Sequence, residues 1–226
     1  MKETRKTWTP PDVPHHGRDM AAEEIRELVG DSPFIIEVGC NDGRDTKRFL
    51  EVMPQSHVVC FDPEPRALDH FLCRGNPRVT YHSEAVSHKT ERRTFYRSGG
   101  IPDCTDKKEP WFQSGAIVKP TGHLERSPEI TFAEKMDVQC RPLDFYWDEY
   151  QTPIDFLWCD AQGSEARVIL GGQKTLMQTR YAIFEYYEDE QYERGANLRT
   201  LLCMLPEFDL LAVYGEENAL FKNRSL

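Results

Sequence analysis

Phe34-Ile35-Ile36-Glu37-Val38-Gly39-Cys40-Asn41-Asp42-Gly43 is a short apolar run that breaks into a glycine-bearing turn. Pro33 precedes the run and Gly39 ends it, which are the boundaries expected of a buried strand. From Asp45 or Thr46 onward, Phe49, Leu50 and Met53 recur at helical spacing. Strand, glycine turn and helix together open a nucleotide-binding α/β unit. The glycines let a ligand approach the backbone, and the helix N-terminus offers unpaired N–H groups. The same turn occurs in α/β proteins that bind nothing there, so the next unit decides.

Residues 57–61 (HVVCF) form a second apolar run, which ends in Asp62-Pro63-Glu64-Pro65. An acid thus closes a second strand about 20 residues after the glycine turn, where a doubly wound fold places the carboxylate that holds ribose hydroxyls. A carboxylate suits this role because it accepts both hydrogen bonds of a vicinal diol. Of the fingerprint G-x-G-x-x-G only Gly39 is present; Asn41 and Arg44 stand at the second and third glycine positions. The second glycine is the one that admits a pyrophosphate. A nucleoside that carries an amino acid instead does not need it, and Glu37 offers an anion to an ammonium group where it would repel a phosphate. S-adenosylmethionine therefore fits these residues better than a nicotinamide dinucleotide.

Hydrophobic residues make up 39% of the chain and charged residues 29%, an ordinary balance for a globular protein. The formal net charge of −10 disfavours wrapping a nucleic-acid backbone, which takes clustered Lys and Arg, so no nucleic-acid partner is expected. Seven cysteines without a C-x-x-C spacing argue against a zinc knuckle or disulfide framework and for a reducing compartment. With neither a signal peptide nor an apolar run of membrane-spanning length, a cytoplasmic protein without a membrane partner is expected.

Residues 1–18 are polar and proline-rich and read as a flexible arm, with His15-His16 as a surface pair. Residues 19–226 read as one domain. Helical spacing predicts helices over residues 20–29, 66–73 and 197–205, and residues 79–82 read as a third strand. In an adenosine pocket, Ser83 or Glu84 would accept from the exocyclic amine while Ala85 leaves room for the ring. Short strands are expected at 94–96 and 136–140, separated by an irregular, lid-like insertion over about 97–135 that carries Trp111, Phe112, Ser114 and His123. A helical turn is expected over residues 142–147. Residues 154–159 (IDFLWC) form a buried strand that ends at Asp160, and residues 181–187 another that carries Glu185. The run 188–194 (EDEQYER) reads as a solvated loop, and residues 208–214 and 219–222 as a terminal antiparallel hairpin.

Taken in order, Glu37-Val-Gly-Cys-Asn-Asp-Gly43, Phe61-Asp-Pro-Glu-Pro65, Ala85-Val-Ser87, Pro142-Leu-Asp144, Asp160-Ala-Gln-Gly-Ser-Glu165, Ile169-Leu-Gly-Gly172 and Phe184-Glu185 resemble the FkbM-type S-adenosylmethionine-dependent methyltransferases. The resemblance spans roughly residues 34–186. It implies a Rossmann-like, seven-stranded mixed α/β sheet with helices on both faces and an antiparallel last strand. It also implies O-methyl transfer, often to sugar or natural-product hydroxyls. The family usually has Glu where this chain has Asp62, and an acid where it has Gln162.

By resemblance and position, Glu37 would hold the methionine ammonium. The turn Gly39 to Gly43 would pass under the ribose and carboxypropyl chain, with Asn41 and Thr46 as polar contacts, while Asp62 takes the ribose diol and Glu84 and Ala85 meet the adenine. A neutral alcohol loses its proton as it attacks, so a carboxylate or imidazole in reach is needed. Asp160 and Glu185 are the candidates, with His82 and His123 behind them. Asp160, Glu165 and Glu185 could instead gather a divalent cation, but Gln162 lowers the charge of such a site and no metal is assigned. The expected substrate is a small molecule or glycan. A catalytically inactive binding module, and an acceptor nitrogen or RNA, stand as alternatives.

Overall fold

The computed structural model describes residues 9–101, 111–146, 152–215 and 217–226. Along the chain run β1 (His15–His16), α1 (Ala22–Val29), β2 (Phe34–Val38), α2 (Arg44–Val52), β3 (His57–Phe61), α3 (Pro65–His70), β4 (Val79–His82), β5 (Ala85–Val86) and β6 (Glu91–Gly100). There follow α4 (His123–Arg126), β7 (Ile130–Arg141), a 3-10 turn (Leu143–Phe145), β8 (Ile154–Cys159), α5 (Glu165–Gly171) and α6 (Gln173–Met177). The chain closes with β9 (Thr179–Glu185), α7 (Leu198–Met204), β10 (Phe208–Tyr214) and β11 (Asn218–Asn223).

The main sheet has the order β1-β10-β11-β9-β8-β2-β3-β4. Strands β4, β3, β2, β8 and β9 are parallel, and β11 runs antiparallel to both β9 and β10. Strand alternation divides the core in two. Ile36, Val38, Val59 and Phe61 pack with Val168, Ile169 and Leu201 of α5 and α7. Ile35, Val58 and Cys60 pack on the other face with Ile25, Phe49 and Leu50 of α1 and α2. Glu37 alternates with Val38 and so points to the α2 side. From β2 the strand order turns one way to β3 and β4, and the other way to β8 and β9. The crevice outside the carboxyl ends of β2 and β8 is the switch point at which open α/β sheets bind ligands.

The mixed α/β sheet, the helices on both faces and the terminal hairpin are as expected, but the strand count differs. His15-His16, read as part of a polar arm, pairs in parallel with Val213 and Tyr214 and adds an eighth strand. The ring of His16 stacks on Tyr214 at 4.6 Å, an anchor that no apolar pattern announces. Residues 1–8 of that arm lie outside the described residues. The stretch 97–135, expected to be irregular, begins and ends in strand: β6 and β7 pair antiparallel from Glu91↔Cys140 to Gly100↔Ile130, and β5 joins β7 as a third strand. Phe95 of β6 and Met136, Val138 and Cys140 of β7 reach the small core they share with Ala85 and Ile117, so the alternation is legible over the expected strand at 136–140 and fades along the rest of the arms. Residues 102–110 of the insertion and Trp147 lie outside the described residues. The helix expected over residues 66–73 stops at His70, where Phe71 turns to extended backbone.

Candidate active site

A cleft of about 280 Å³ opens over the carboxyl ends of the central strands. Its walls are the turn after β2, Asp62 after β3, Glu84 and Ala85 after β4, and Asp160 to Gln162 after β8. Residues Phe112 to Ile117, from the β6–β7 connection, close one side. Gly39 takes φ +86°, and a Cβ there would stand 1.8 Å from the carbonyl oxygen of Asp160. Only glycine lets the turn after β2 and the exit of β8 meet so closely.

Asp62 is held before any ligand arrives. Its Oδ2 accepts from the Asn41 backbone N–H at 2.9 Å and its Oδ1 from the Glu64 N–H at 2.8 Å. Burial pushes its carboxyl up to about 7, against these two donors, which favour the charged form. Each oxygen keeps lone-pair capacity for a further donor. Glu64 behind it is ion-paired to Arg66 at 2.7 Å and Arg97 at 3.0 Å. Although burial opposes it, these arginines hold the Glu64 carboxyl below the usual range. The loop that carries Asp62 is thereby tied to β6.

A second constellation was only half visible in sequence. Gln162 adopts left-handed backbone (φ 50°). Its Nε2 donates to Asp160 Oδ1 at 2.6 Å and to Glu185 Oε2 at 3.1 Å, while its Oε1 accepts from Tyr192 OH at 2.6 Å. One carboxamide thus bridges two carboxyl groups and is itself oriented by a phenol. Burial, then the nearby charge of Asp160, pushes Glu185 well above the ordinary glutamate range. Glu165, fully buried at the start of α5, accepts from the N–H groups of Ala161 and Gly163 through Oε1. Burial foremost raises its carboxyl to about 8. Tyr192 was missed: it sits in the charged run 188–194 that reads as solvated, yet it is 0% exposed. The signal available was a lone aromatic among six polar residues.

Of the expected cofactor residues, Gly39, Asn41, Asp62, Glu84 and Ala85 line the cleft, as does the catalytic candidate Asp160. Glu37, Gly43, Thr46 and Glu185 are not among its lining residues. Glu37 is buried beneath the turn, where Oε2 accepts from Thr46 Oγ1 at 2.5 Å, and burial drives its carboxyl well above the ordinary range. Strand alternation aims Glu37 at α2, where it meets Thr46, and away from the lining of the cleft. Gly43 caps α2 with φ +78° and lies against Phe71. Glu185 stands behind the cleft wall, where it accepts from Gln162 Nε2 at 3.1 Å and is hydrogen-bonded to Asp160. Glu84 is engaged by Arg141 at 2.8 Å and by the Tyr146 hydroxyl. Neither His82, stacked on Phe61 at 4.8 Å, nor His123, edge-on to Tyr192, lines the cleft.

The family model described as the methyltransferase FkbM domain matches residues 37–216. The 2-O-methyltransferase NoeI of Sinorhizobium fredii (strain NBRC 101917 / NGR234) is 37% identical over 202 residues, which cover 86% of this chain and 81% of that protein. The crystal structure of methyltransferase FkbM from Methylobacillus flagellatus KT shares the fold, with a TM-score of 0.53 at 14% identity. That alignment covers 91% of this chain and 48% of the other, so the chain spans about half its length. With the matched segment running from the glycine turn to the terminal hairpin, the chain belongs to the FkbM methyltransferase family.

Proposed function

We propose that this protein transfers a methyl group from S-adenosylmethionine to a hydroxyl of a sugar, glycan or small natural product. The observation that carries the cofactor is Asp62: a carboxylate fixed by two backbone N–H groups at the end of β3, with lone pairs left over, on the wall of the switch-point cleft. Asp62 would hold the ribose diol, the Gly39 turn would lie under the amino-acid arm, and Ala85 would border the adenine. S-adenosylmethionine brings a methyl group already activated on sulfur, so the protein supplies position, exclusion of water and a proton acceptor.

Asp160 is the residue we assign to the proton. Asp160 lines the cleft, and its Oδ1 accepts from the Gln162 amide at 2.6 Å. Glu185 and Tyr192 act behind it as positioning residues, through the two ends of the same carboxamide. Burial, and then the charge of Asp160, raise the Glu185 carboxyl well above the ordinary glutamate range, which disfavours a second charge beside Asp160. Phe112, on the connection between β6 and β7, would help to exclude water. Oxygen as the acceptor atom is supported by the 37% identical relative NoeI, a 2-O-methyltransferase. The net charge of −10 supports a small acceptor over a nucleic acid.

The test is calorimetric titration with S-adenosylhomocysteine and, in parallel, NADH. Micromolar binding of the former alone is expected, weakened at least tenfold in Asp62→Ala with an unchanged circular dichroism spectrum. No binding of S-adenosylhomocysteine would overturn the cofactor assignment, and full affinity in Asp62→Ala would remove the ribose role.

A further inference from the structure

A second cavity, about 430 Å³, lies beyond Ile117, a residue it shares with the first cleft. Its charged lining is Arg92, Arg93, Lys119, Arg167 and Arg194 against Glu91 and Glu193, five cations to two acids. A local charge of +3 within a chain of net −10 is a concentration of one sign that composition does not supply.

Three of these arginines converge from elements far apart in sequence. Arg93 comes from β6, Arg167 from the first turn of α5 and Arg194 from the loop before α7. Arg93 is ion-paired with Glu91 at 3.2 Å, and Glu91 is shared with Lys89 at 3.4 Å. Among the described residues, no ion pair is recorded for Arg167, Arg194 or Lys119. Arg167 is half-buried, and the polar side-chain neighbour recorded for it is His88, whose Nδ1 lies 3.3 Å from Nη1. Burial and then the charge of Arg93 lower its pKa from the ordinary value, with Glu91 opposing and Arg194 acting in the same direction as Arg93. A solvated surface arginine would not feel two others in this way. Arg194 moreover holds left-handed backbone (φ 60°), a conformation that a non-glycine residue adopts at some cost.

Converging guanidinium groups without enough acids among them match a ligand that brings the missing charge. The guanidinium fork is suited to paired oxygens of a tetrahedral oxyanion. The compact grouping, four arginines around one cavity, fits a single anionic group better than the extended stripe that a polyanion backbone needs. We infer that this cavity binds the oxyanion of a sulfate or phosphate group, with Arg167 and Arg194 as its principal contacts. The group would be either a substituent on the methyl acceptor, which Ile117 would separate from the methyl-transfer cleft, or a free ion.

The inference does not rest on methyl transfer, because its readout is anion binding. Inorganic sulfate and inorganic phosphate are titrated into the full chain at constant ionic strength, with chloride as the balancing anion. Saturable binding is expected, weakened at least tenfold in both Arg167→Gln and Arg194→Gln but unchanged in Arg199→Gln, which removes one exposed positive charge elsewhere. Arg194 is exposed, so its variant stays informative should Arg167→Gln fold poorly. Absence of saturable binding, or equal weakening in Arg199→Gln, would overturn the inference. Glucose 6-phosphate against glucose separates the two sources. Affinity at least tenfold above that of inorganic phosphate assigns the anion to an acceptor, and equal affinity assigns the site to a free oxyanion.

Discussion

Replacing Gln162 by Met removes the polar end of the side chain and keeps its length, which isolates the bridge between Asp160 and Glu185. Two hydrogen bonds to carboxyl oxygens are lost, at 2.6 Å and 3.1 Å. Hydrogen bonds to charged groups contribute roughly 1.5–3 kcal/mol each, so the gross loss is about 3–6 kcal/mol. Tyr192 OH loses Gln162 Oε1 but stands 3.1 Å from the Ser114 carbonyl oxygen, which limits its share. The two carboxyl groups would then face each other without a donor, and the pair would relieve this by holding a proton more tightly. The net destabilisation should therefore depend on pH. Glu185 already sits well above the ordinary glutamate range in the folded state, and in the variant it rises further. A group whose folded pKa is raised binds more protons folded than unfolded, so stability falls as pH rises. We expect a loss of about 3 kcal/mol at pH 8, near the lower bound because both acids are half-buried, and a distinctly smaller loss at pH 6. Urea denaturation at the two pH values measures it. Equal losses at both, or none at pH 8, would refute the bridge.

Three further outcomes follow from the same geometry. Glu165, with its carboxyl raised to about 8, binds its proton more tightly folded than unfolded, so wild-type stability should fall between about pH 5 and 8. Glu165→Gln keeps the acceptor for Ala161 and Gly163; it should flatten that slope by about 1.4 kcal/mol for each unit of the wild-type shift, read by thermal denaturation across pH. A ribose diol donating to Asp62 would favour its ionised form, so affinity for S-adenosylhomocysteine should rise with pH through about 7, by up to about tenfold per unit. A flat profile in wild type, or the same slope in Asp62→Asn, would contradict this. Asp160→Asn should keep cofactor affinity and lower kcat by about 10²- to 10⁴-fold, the usual share of a general base. An unchanged kcat would send the search for the proton acceptor elsewhere.

What the sequence carries well is whatever the backbone repeats. The runs at residues 34–38, 57–61 and 154–159 announce buried parallel strands, and the acid or glycine after each lands at one end of the sheet because parallel strands share a direction. Asp62, Asp160 and Gly39 were found that way. What it carries poorly is whatever depends on which face a side chain takes at a strand end, or on partners distant in the chain. Glu37 precedes the glycine turn by two residues and looks like a ligand contact; alternation turns it toward Thr46. Glu185 ends a central strand and looks equivalent to Asp160, yet it stands behind the cleft wall against Gln162 and Asp160. Of the long arms of β6 and β7 only residues 94–96 and 136–140 were legible, because a sheet with one small core needs few apolar residues.

Gln162 joins these two classes of residue. Read alone, it is the place where an acid is missing from a family pattern, and it counts against a charged site. In the fold it lies between two carboxyl groups, and an amide there does what a third acid could not do without a proton or a cation: it donates to both. The substitution thus changes the meaning of its neighbours. With an acid at 162, Asp160 and Glu185 would form part of a crowded anionic cluster. With Gln162 held by Tyr192, Asp160 lies on the cleft wall and Glu185 behind it, its carboxyl raised well above the ordinary range. Tyr192 reaches this position only because Gly163 leaves space beside its Cβ, where a side chain would stand at 2.5 Å. The Gly163 turn and the aromatic in an otherwise charged loop are therefore parts of the same device as the carboxamide.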